Sequence, residues 1–496
     1  LAPPPIAHHN DKNEIAMHTP DTESMQTMRK EKDLLGELSV PQDAYYGIQT
    51  RRACQNFDLS GIPIKHFPEL VNALALVKLA CAKTNNQLGH LSDNKTQTIE
   101  AAVNKILQGH HHEDFVVDMI QGGAGTSTNM NANEVIANIG LEIMGKEKGN
   151  YTHLHPNNDI NKSQSTNDVY PTAVRLSIIL LHSHLVEALT SLRDCFSQKA
   201  LEFSNIIKMG RTQLQDAVPM TLGQEFQSFA STLNEDIQRI ADLSQLLKEV
   251  NLGGTAIGTG INTHSDYAPL AVQHLAQLTG IEFTLATDLI EASSDMGAFV
   301  LFSSMLKRLA VKLSKISNDL RLLSMGPRCG LAEIQLPAAQ PGSSIMPGKI
   351  NPVIPEAMNQ VAYQVMGNDL AITFAAEAGQ LQLNAMEPLI AYKVLESIRL
   401  LTKSMGMLET RCIQGITANE ERCQELVNNS IGIITAIAPT LGYETATRVA
   451  KQALATGRSV LELVLDENLM DEAELKTCLQ PQNMVKPQHR KSKKII

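Results

Sequence analysis

Tryptophan is absent from this 496-residue chain, and the aromatic residues together reach only 4%. A core without large rings must be built from aliphatic side chains, which suits helices rich in Leu, Ala and Met better than a β-sandwich. No C-x-x-C pair occurs among the seven scattered cysteines, an odd, unclustered set that reads as reduced, buried thiols of a cytoplasmic protein. Long apolar runs are missing too. No apolar run reaches about 18 uncharged residues, so no membrane-spanning helix is expected, and the first residues show no apolar signal-peptide core. An excess of basic residues is also lacking: the net charge of -10 argues against a general nucleic-acid binder. A G-x-x-x-x-G-K-[ST] loop and a dinucleotide fingerprint are absent, since Gly253 to Gly260 has the glycines without a preceding strand.

What is present is a 43% hydrophobic, 19% charged chain, long enough for two or three domains and a large core. Apolar residues recur at steps of three and four. One stripe runs Ile178, Leu181, Leu185, Leu189, Leu192, Phe196; a second runs from Phe226 through Leu233, Ile240 and Leu247 to Val250. A third runs from Leu306 to Leu323 and a fourth from Val394 to Cys412. Such stripes are the seams of helices packed nearly parallel. The third helix is expected from about Asp288 to Met325, over ~50 Å long at about 1.5 Å per residue, with Gly326-Pro327 as its stop. Residues 352–378 supply a fifth long helix. The expected fold class is mainly α, an extended long-helix bundle with minor sheet and a surface that favours self-association.

Chemistry gathers where helices start. Gly122-Gly-Ala-Gly-Thr126-Ser-Thr-Asn-Met-Asn131 is a glycine turn entering a helix, and Ser163-Gln-Ser165-Thr166-Asn167-Asp168 combines a cap with the early Pro171. Gly210-Arg-Thr212-Gln213-Leu-Gln-Asp216 precedes Pro219 and the second long helix. The fourth segment, Gly342-Ser343-Ser344-Ile-Met-Pro-Gly348-Lys349-Ile-Asn351-Pro352, brings two hydroxyls, an ammonium and an amide to the start of a helix. Gly342 and Gly348 are expected at positive φ, Asn351 as cap and Pro352 at the first helical position. Helix starts favour anions. Together these segments describe a pocket of neutral donors plus one cation, suited to a small dianion.

The Gly342–Pro352 segment, followed by Glu356, resembles the signature loop of the aspartase/fumarase superfamily, and the segments around Thr126 and Ser165 resemble its other two signature regions. The resemblance runs from about Asp33 to Gln482. It implies a three-domain helical fold: an N-terminal domain over 28–166, a central bundle over 167–421 and a small C-terminal domain over 422–496 with a basic tail; residues 1–27, polar, Pro- and His-bearing and without periodicity, are expected to be a disordered N-terminal extension. It also implies a homotetramer whose active sites are each built from three subunits, acting on a small dicarboxylate without an organic cofactor. No metal ligands are implied, although divalent ions activate some aspartases. Gly210 to Glu225 and Ala378-Gly-Gln-Leu-Gln-Leu-Asn384 look like the aspartase branch, which eliminates ammonia from L-aspartate to give fumarate. The alternatives are a class II fumarase and a catalytically silent protein on the same scaffold.

By this resemblance Ser343 is the general base. Thr126, Ser165, Thr166 and Ser344 line the β-carboxylate, Lys349 and Asn351 hold the α-carboxylate, and Asn167 and Thr212 lie near the amino group. The loop glycines are then hinges of a lid. Gln213 stands where fumarases carry His and cannot titrate; with Glu356 it belongs to the surroundings of the site. His110-His-His-Glu-Asp114 is expected to be a solvated surface rather than a metal site. His155-Pro-Asn157 resembles a second dicarboxylate site of fumarases, but Asn158 replaces the usual Asp there, so that site is not expected.

Overall fold

A computed structural model describes residues 27–485. The expected N-terminal extension, apart from Thr27, and the basic tail from Lys486 lie outside the described residues. The chain opens on an antiparallel hairpin of β1 (Met28–Asp33) and β2 (Gly36–Pro41), in register from Met28↔Pro41 to Asp33↔Gly36. Helices α1 (Ile48–Asn56), α2 (Pro68–Gln87), α3 (Asp93–Leu107) and α4 (Thr126–Ile143) follow. Glu134 of α4 is buried and accepts the Gly47, Gln49 and Thr50 N–H groups at 2.8, 2.9 and 3.1 Å. It thus satisfies three of the N–H groups at the start of α1, for which no local cap exists, while Glu31 accepts the Ile48 N–H at 2.9 Å.

The middle of the chain is mostly helical, with one longer hairpin, two two-residue ladders and connecting loops. Helix α5 (Thr166–Glu202) leads to β3 (Ile207–Thr212) and β4 (Gln215–Thr221), then α6 (Leu222–Leu243), α7 (Tyr267–Thr279), α8 (Gly297–Leu323), α9 (Val353–Glu377) and α10 (Glu387–Arg411). At 37 residues α5 is about 55 Å long. It is long and apolar enough to cross a membrane, but 56% of its most apolar window is buried in the protein, as befits a core helix. Helix α5 packs on α6 and α10, α10 on α9, and α9 on α8, so α5, α6, α8, α9 and α10 form a five-helix bundle, with α2 packed against α5. Short helices from Glu420 to Cys478 surround a separate small core of Val427, Ile437, Val449, Leu463 and Val464, into which Ile207 and Met209 reach.

Caps and breaks explain the boundaries. Ser165 Oγ accepts the Asn167 N–H at 3.2 Å while Asp168 accepts the Ser165 N–H at 3.0 Å, a reciprocal cap for α5. Pro171 has no N–H to offer the Asn167 carbonyl, and Asn251 Nδ2 donates to it instead at 3.0 Å. Three expectations are corrected. Helix α8 starts at Gly297, not Asp288, because Asp288 and Asp295 accept the backbone N–H groups of Ile290 and Gly297 at 2.9 Å and hold the chain in turns. The second stripe leaves the helix after Leu243, and Val250 pairs with Leu285 in a short parallel ladder. Residues 210–216 are a β-hairpin rather than a helix entry; the cap of α6 is Thr221, in reciprocal bonds with Gln224 at 3.0 Å.

Because α6 and α9 run opposite to α5, α8 and α10, each end of the bundle collects its own loops. The start of α5 lies beside Asn251, which also donates to Ser293 at 3.0 Å, and Arg175 donates to Leu246 O at 3.2 Å. At the far end Lys199 Nζ donates to Ile416 O at 2.9 Å, Arg321 of α8 meets Asn359 of α9 at 3.1 Å, and Arg211 pairs with Glu333 at 2.8 Å.

Candidate active site

The starts of α4 and α5 are seated on each other. Gly125 caps α4 at φ +90°, and a Cβ there would fall 2.5 Å from the Tyr170 ring of α5. Any other residue would strain the backbone and push the two starts apart. Gly125→Ala is expected to lose about 1–3 kcal/mol from backbone strain alone and to weaken substrate binding; a lowered thermal midpoint with a raised KM is the result to look for.

This pairing brings together four of the expected residues. Thr126 is exposed and its hydroxyl donates to Gly123 O at 2.7 Å. Ser165 caps α5, Thr166 opens it, and Asn167 Nδ2 donates to Ala256 O at 2.7 Å. The glycine loop from Gly253 wraps this corner, its Gly253 and Thr255 N–H groups donating to Asp168 at 3.0 and 3.1 Å. Burial pushes the Asp168 carboxyl up to about 6 against these donors. Sequence reasoning gave no role to Asp168 or to Lys78, a buried lysine beneath both starts that donates to Asn129, Asn161 and Gln164 at 2.6, 2.9 and 2.8 Å. A lone charge inside the apolar run Leu74 to Ala82 was the available signal.

The other expected residues lie elsewhere in the chain. Thr212 ends β3 and pairs with Gln215, and the turn between them has Gln213 and Leu214 at φ 55° and 62°. Thr212 and Gln213 are exposed at this tip. Below it, Glu333 is buried between Arg211 at 2.8 Å and Lys208 at 3.2 Å, and Lys208 also holds Glu225. The Gly342 loop is closed on itself by Gly342 N–H donating to Lys349 O at 2.7 Å and Asn351 Nδ2 donating to Gly342 O at 2.9 Å. Asn351 is therefore a brace of the loop and not the cap of α9, which starts at Val353 after Pro352. Gly348 sits at φ +80°, as expected, but Gly342 is required for closeness: a Cβ there would lie 2.6 Å from Lys349 O. Ser343 Oγ accepts the Ile345 and Met346 N–H groups, each at 3.2 Å. Ser344 and Lys349 are exposed, and Glu356 is half-buried in the first turn of α9. Ser343, Met346 and Lys349 line a cavity of about 400 Å³ walled only by residues 338–350.

One chain thus splits the expected set. Thr126, Ser165, Thr166 and Asn167 stand at one end of the bundle, while Thr212, Gln213, Ser343, Ser344, Lys349, Asn351 and Glu356 belong to the other.

The histidine run is spent on local contacts. His112 Nε2 lies 2.9 Å from Ile106 O, Glu113 pairs with Lys65 at 2.5 Å, and Asp114 accepts the Tyr45 N–H at 2.9 Å. Among the described residues no group of three His, Cys, Asp or Glu is placed to hold a metal ion. Around His155, whose Nδ1 accepts the Asn157 and Asn158 N–H groups at 3.0 and 3.2 Å, lies a cavity of about 600 Å³ that includes Lys30, Lys95 and Asp159.

Residues 36–367 match the family model described as Lyase, and residues 433–486 match that of the fumarase C C-terminus. An aspartate ammonia-lyase of Pseudomonas fluorescens is 65% identical over 94% of this chain and 97% of that protein. The crystal structure of a fumarate lyase:delta crystallin from Brucella melitensis, bound to cobalt, superposes with a TM-score of 0.90 at 56% identity, covering 93% of this chain and all of that one. A class II fumarase from Schistosoma mansoni superposes with a TM-score of 0.86 at 34% identity, covering 92% and 99%. With both ends of the bundle carrying signature residues and the matches spanning nearly the whole length, the chain belongs to the lyase family of the aspartase/fumarase superfamily.

Proposed function

We propose that this chain is an aspartate ammonia-lyase, eliminating ammonia from L-aspartate to give fumarate. The observation that carries the reading is the setting of Ser343. Two backbone N–H groups aim at its oxygen within a loop that also presents Lys349. A serine is a poor base unless its alkoxide is stabilised, and these donors with a nearby ammonium supply that stabilisation. The alkoxide takes the proton from the carbon beside the β-carboxylate. The electron pair passes into that carboxylate as an enediolate, then returns to form the α–β double bond as the C–N bond breaks and ammonia leaves. The neutral donors Thr126, Ser165, Thr166 and Ser344 meet the enediolate oxygens, where added charge is greatest. Lys349 and Asn351 hold the α-carboxylate, and Asn167 and Thr212 orient the amino group. Gln213 can orient by hydrogen bonds but cannot move a proton.

The aspartase branch is favoured over fumarase by the 65% identity to a named aspartate ammonia-lyase, against 34% to the fumarase. Absorbance at the fumarate band should rise with L-aspartate and stay flat with L-malate. A rise with malate alone would move the reading to fumarase, and no rise with either would leave a silent scaffold.

A homotetramer belongs to the same proposal. Tyr363, Leu370 and Phe374 form an exposed apolar stripe along α9, and the split set of residues needs a second copy to be completed. The elimination balances without an oxidant or organic cofactor. Activation by a divalent cation is read by adding chelator and then Mg²⁺ to the assay. All seven thiols are free, which supports a reducing, cytoplasmic setting.

A further inference from the structure

Lys78 has no part in the elimination chemistry above, yet it is laid under two helix starts. It stands on α2 between Val77 and Leu79 and is fully buried with them. Its three N–H donors go to neutral carbonyls: Asn129 in the first turns of α4, Asn161, and Gln164, the residue before the Ser165 cap. Asn161 Oδ1 also accepts from Asn129 and Asn133 Nδ2, each at 3.1 Å, so the amides are locked in one arrangement. One ammonium therefore ties together the starts of α4 and α5.

Its electrical setting is unfavourable while the site is empty. Each helix start carries roughly half a positive charge, and a full charge beneath two of them is repelled. The titratable groups facing it compensate little. Cys81, one turn along α2, has its thiol pushed up to about 12 by burial, and Tyr267 of α7 beside it is held well above the usual phenol range. The Asp168 carboxylate of α5 draws on the ammonium but already receives three backbone N–H groups. α4 presents only amides to it. Burial lowers Lys78 to about 7.

We propose that Lys78 is a positioning residue for the substrate carboxylate, aligning the two helix starts and taking up a proton as the dianion binds. The inference rests on the lyase reading, which sets a carboxylate against Thr126, Ser165 and Thr166. An anion above the two starts cancels their repulsion and favours the ammonium, so the protonated enzyme is the form that binds. Affinity is then steady below about pH 7 and falls by up to about tenfold per pH unit above it.

The test measures fumarate binding between about pH 6 and 9 in the tetramer, beside Lys78→Gln, which removes the charge and keeps an amide donor. The variant is expected to bind roughly tenfold more weakly at the acid end, with a flattened pH profile and kcat changed far less than KM. A variant with wild-type affinity and the wild-type pH slope overturns the proposal. If Lys78→Gln fails to assemble, calorimetry of the wild-type protein in buffers of different ionisation enthalpy decides. Uptake approaching one proton per fumarate near pH 8 supports the role, and no uptake across the range overturns it. Wild-type deamination of L-aspartate is measured first. Its absence defeats the lyase reading, whereas an active wild type with an indifferent Lys78→Gln defeats only the role of Lys78.

Discussion

Ser343→Ala should lower kcat for L-aspartate by about 10²–10⁴-fold, the range expected for loss of a positioned general base, while the oligomer stays intact. The hydroxyl accepts two N–H groups, so its removal leaves Ile345 and Met346 donors free in an exposed loop where water replaces it. The loop itself is closed by Gly342, Lys349 and Asn351, none of which the substitution touches. The effect should therefore fall on turnover and not on assembly. Lys349→Met removes the ammonium that both grips the α-carboxylate and helps to stabilise the Ser343 alkoxide, so it should raise KM and lower kcat together, unlike Ser343→Ala, whose effect falls on kcat alone. Single-turnover kinetics with thermal melts separate these outcomes. Unchanged turnover in Ser343→Ala would remove the serine from the role of base.

Much of this was legible because local rules and global packing agree. The run 352–378 is helical over Val353–Glu377, and Ser165 caps α5 as its sequence demands. Failures came where tertiary partners decide. In β3, Ile207, Lys208, Met209 and Gly210 are all buried, so no in–out alternation marks a strand, and Lys208 tolerates burial through Glu225 and Glu333. The signature segments could be read as a set, but not their division between the two ends of a bundle. That division follows from chain direction in α5, α8, α9 and α10, which no local pattern encodes. Lys78 stayed hidden for a related reason: its partners Asn129, Asn161 and Gln164 are 51, 83 and 86 residues away.

The division has its own consequence. Asn167→Ala removes a side chain at one end of the bundle, and Ser343→Ala removes one at the other. Each tetramer should be nearly inactive alone. If every site takes Asn167 from one copy and Ser343 from another, mixed tetramers contain sites in which both residues are intact. Random assembly of equal amounts gives about a quarter of sites of this kind, since each of the two contributing copies must be the correct variant. Co-expression of the two variants should thus recover roughly a quarter of wild-type turnover, about 25- to 2,500-fold above the Ser343→Ala parent for a loss of about 10²–10⁴-fold in that parent. The recovered sites should show a wild-type KM, because every group that touches substrate in them is present. Recovery that stays at the sum of the parents, in mixtures shown by mass to be hybrid, would mean that one chain supplies both residues to one site, and the split seen along the bundle would then have to close by movement within a single copy.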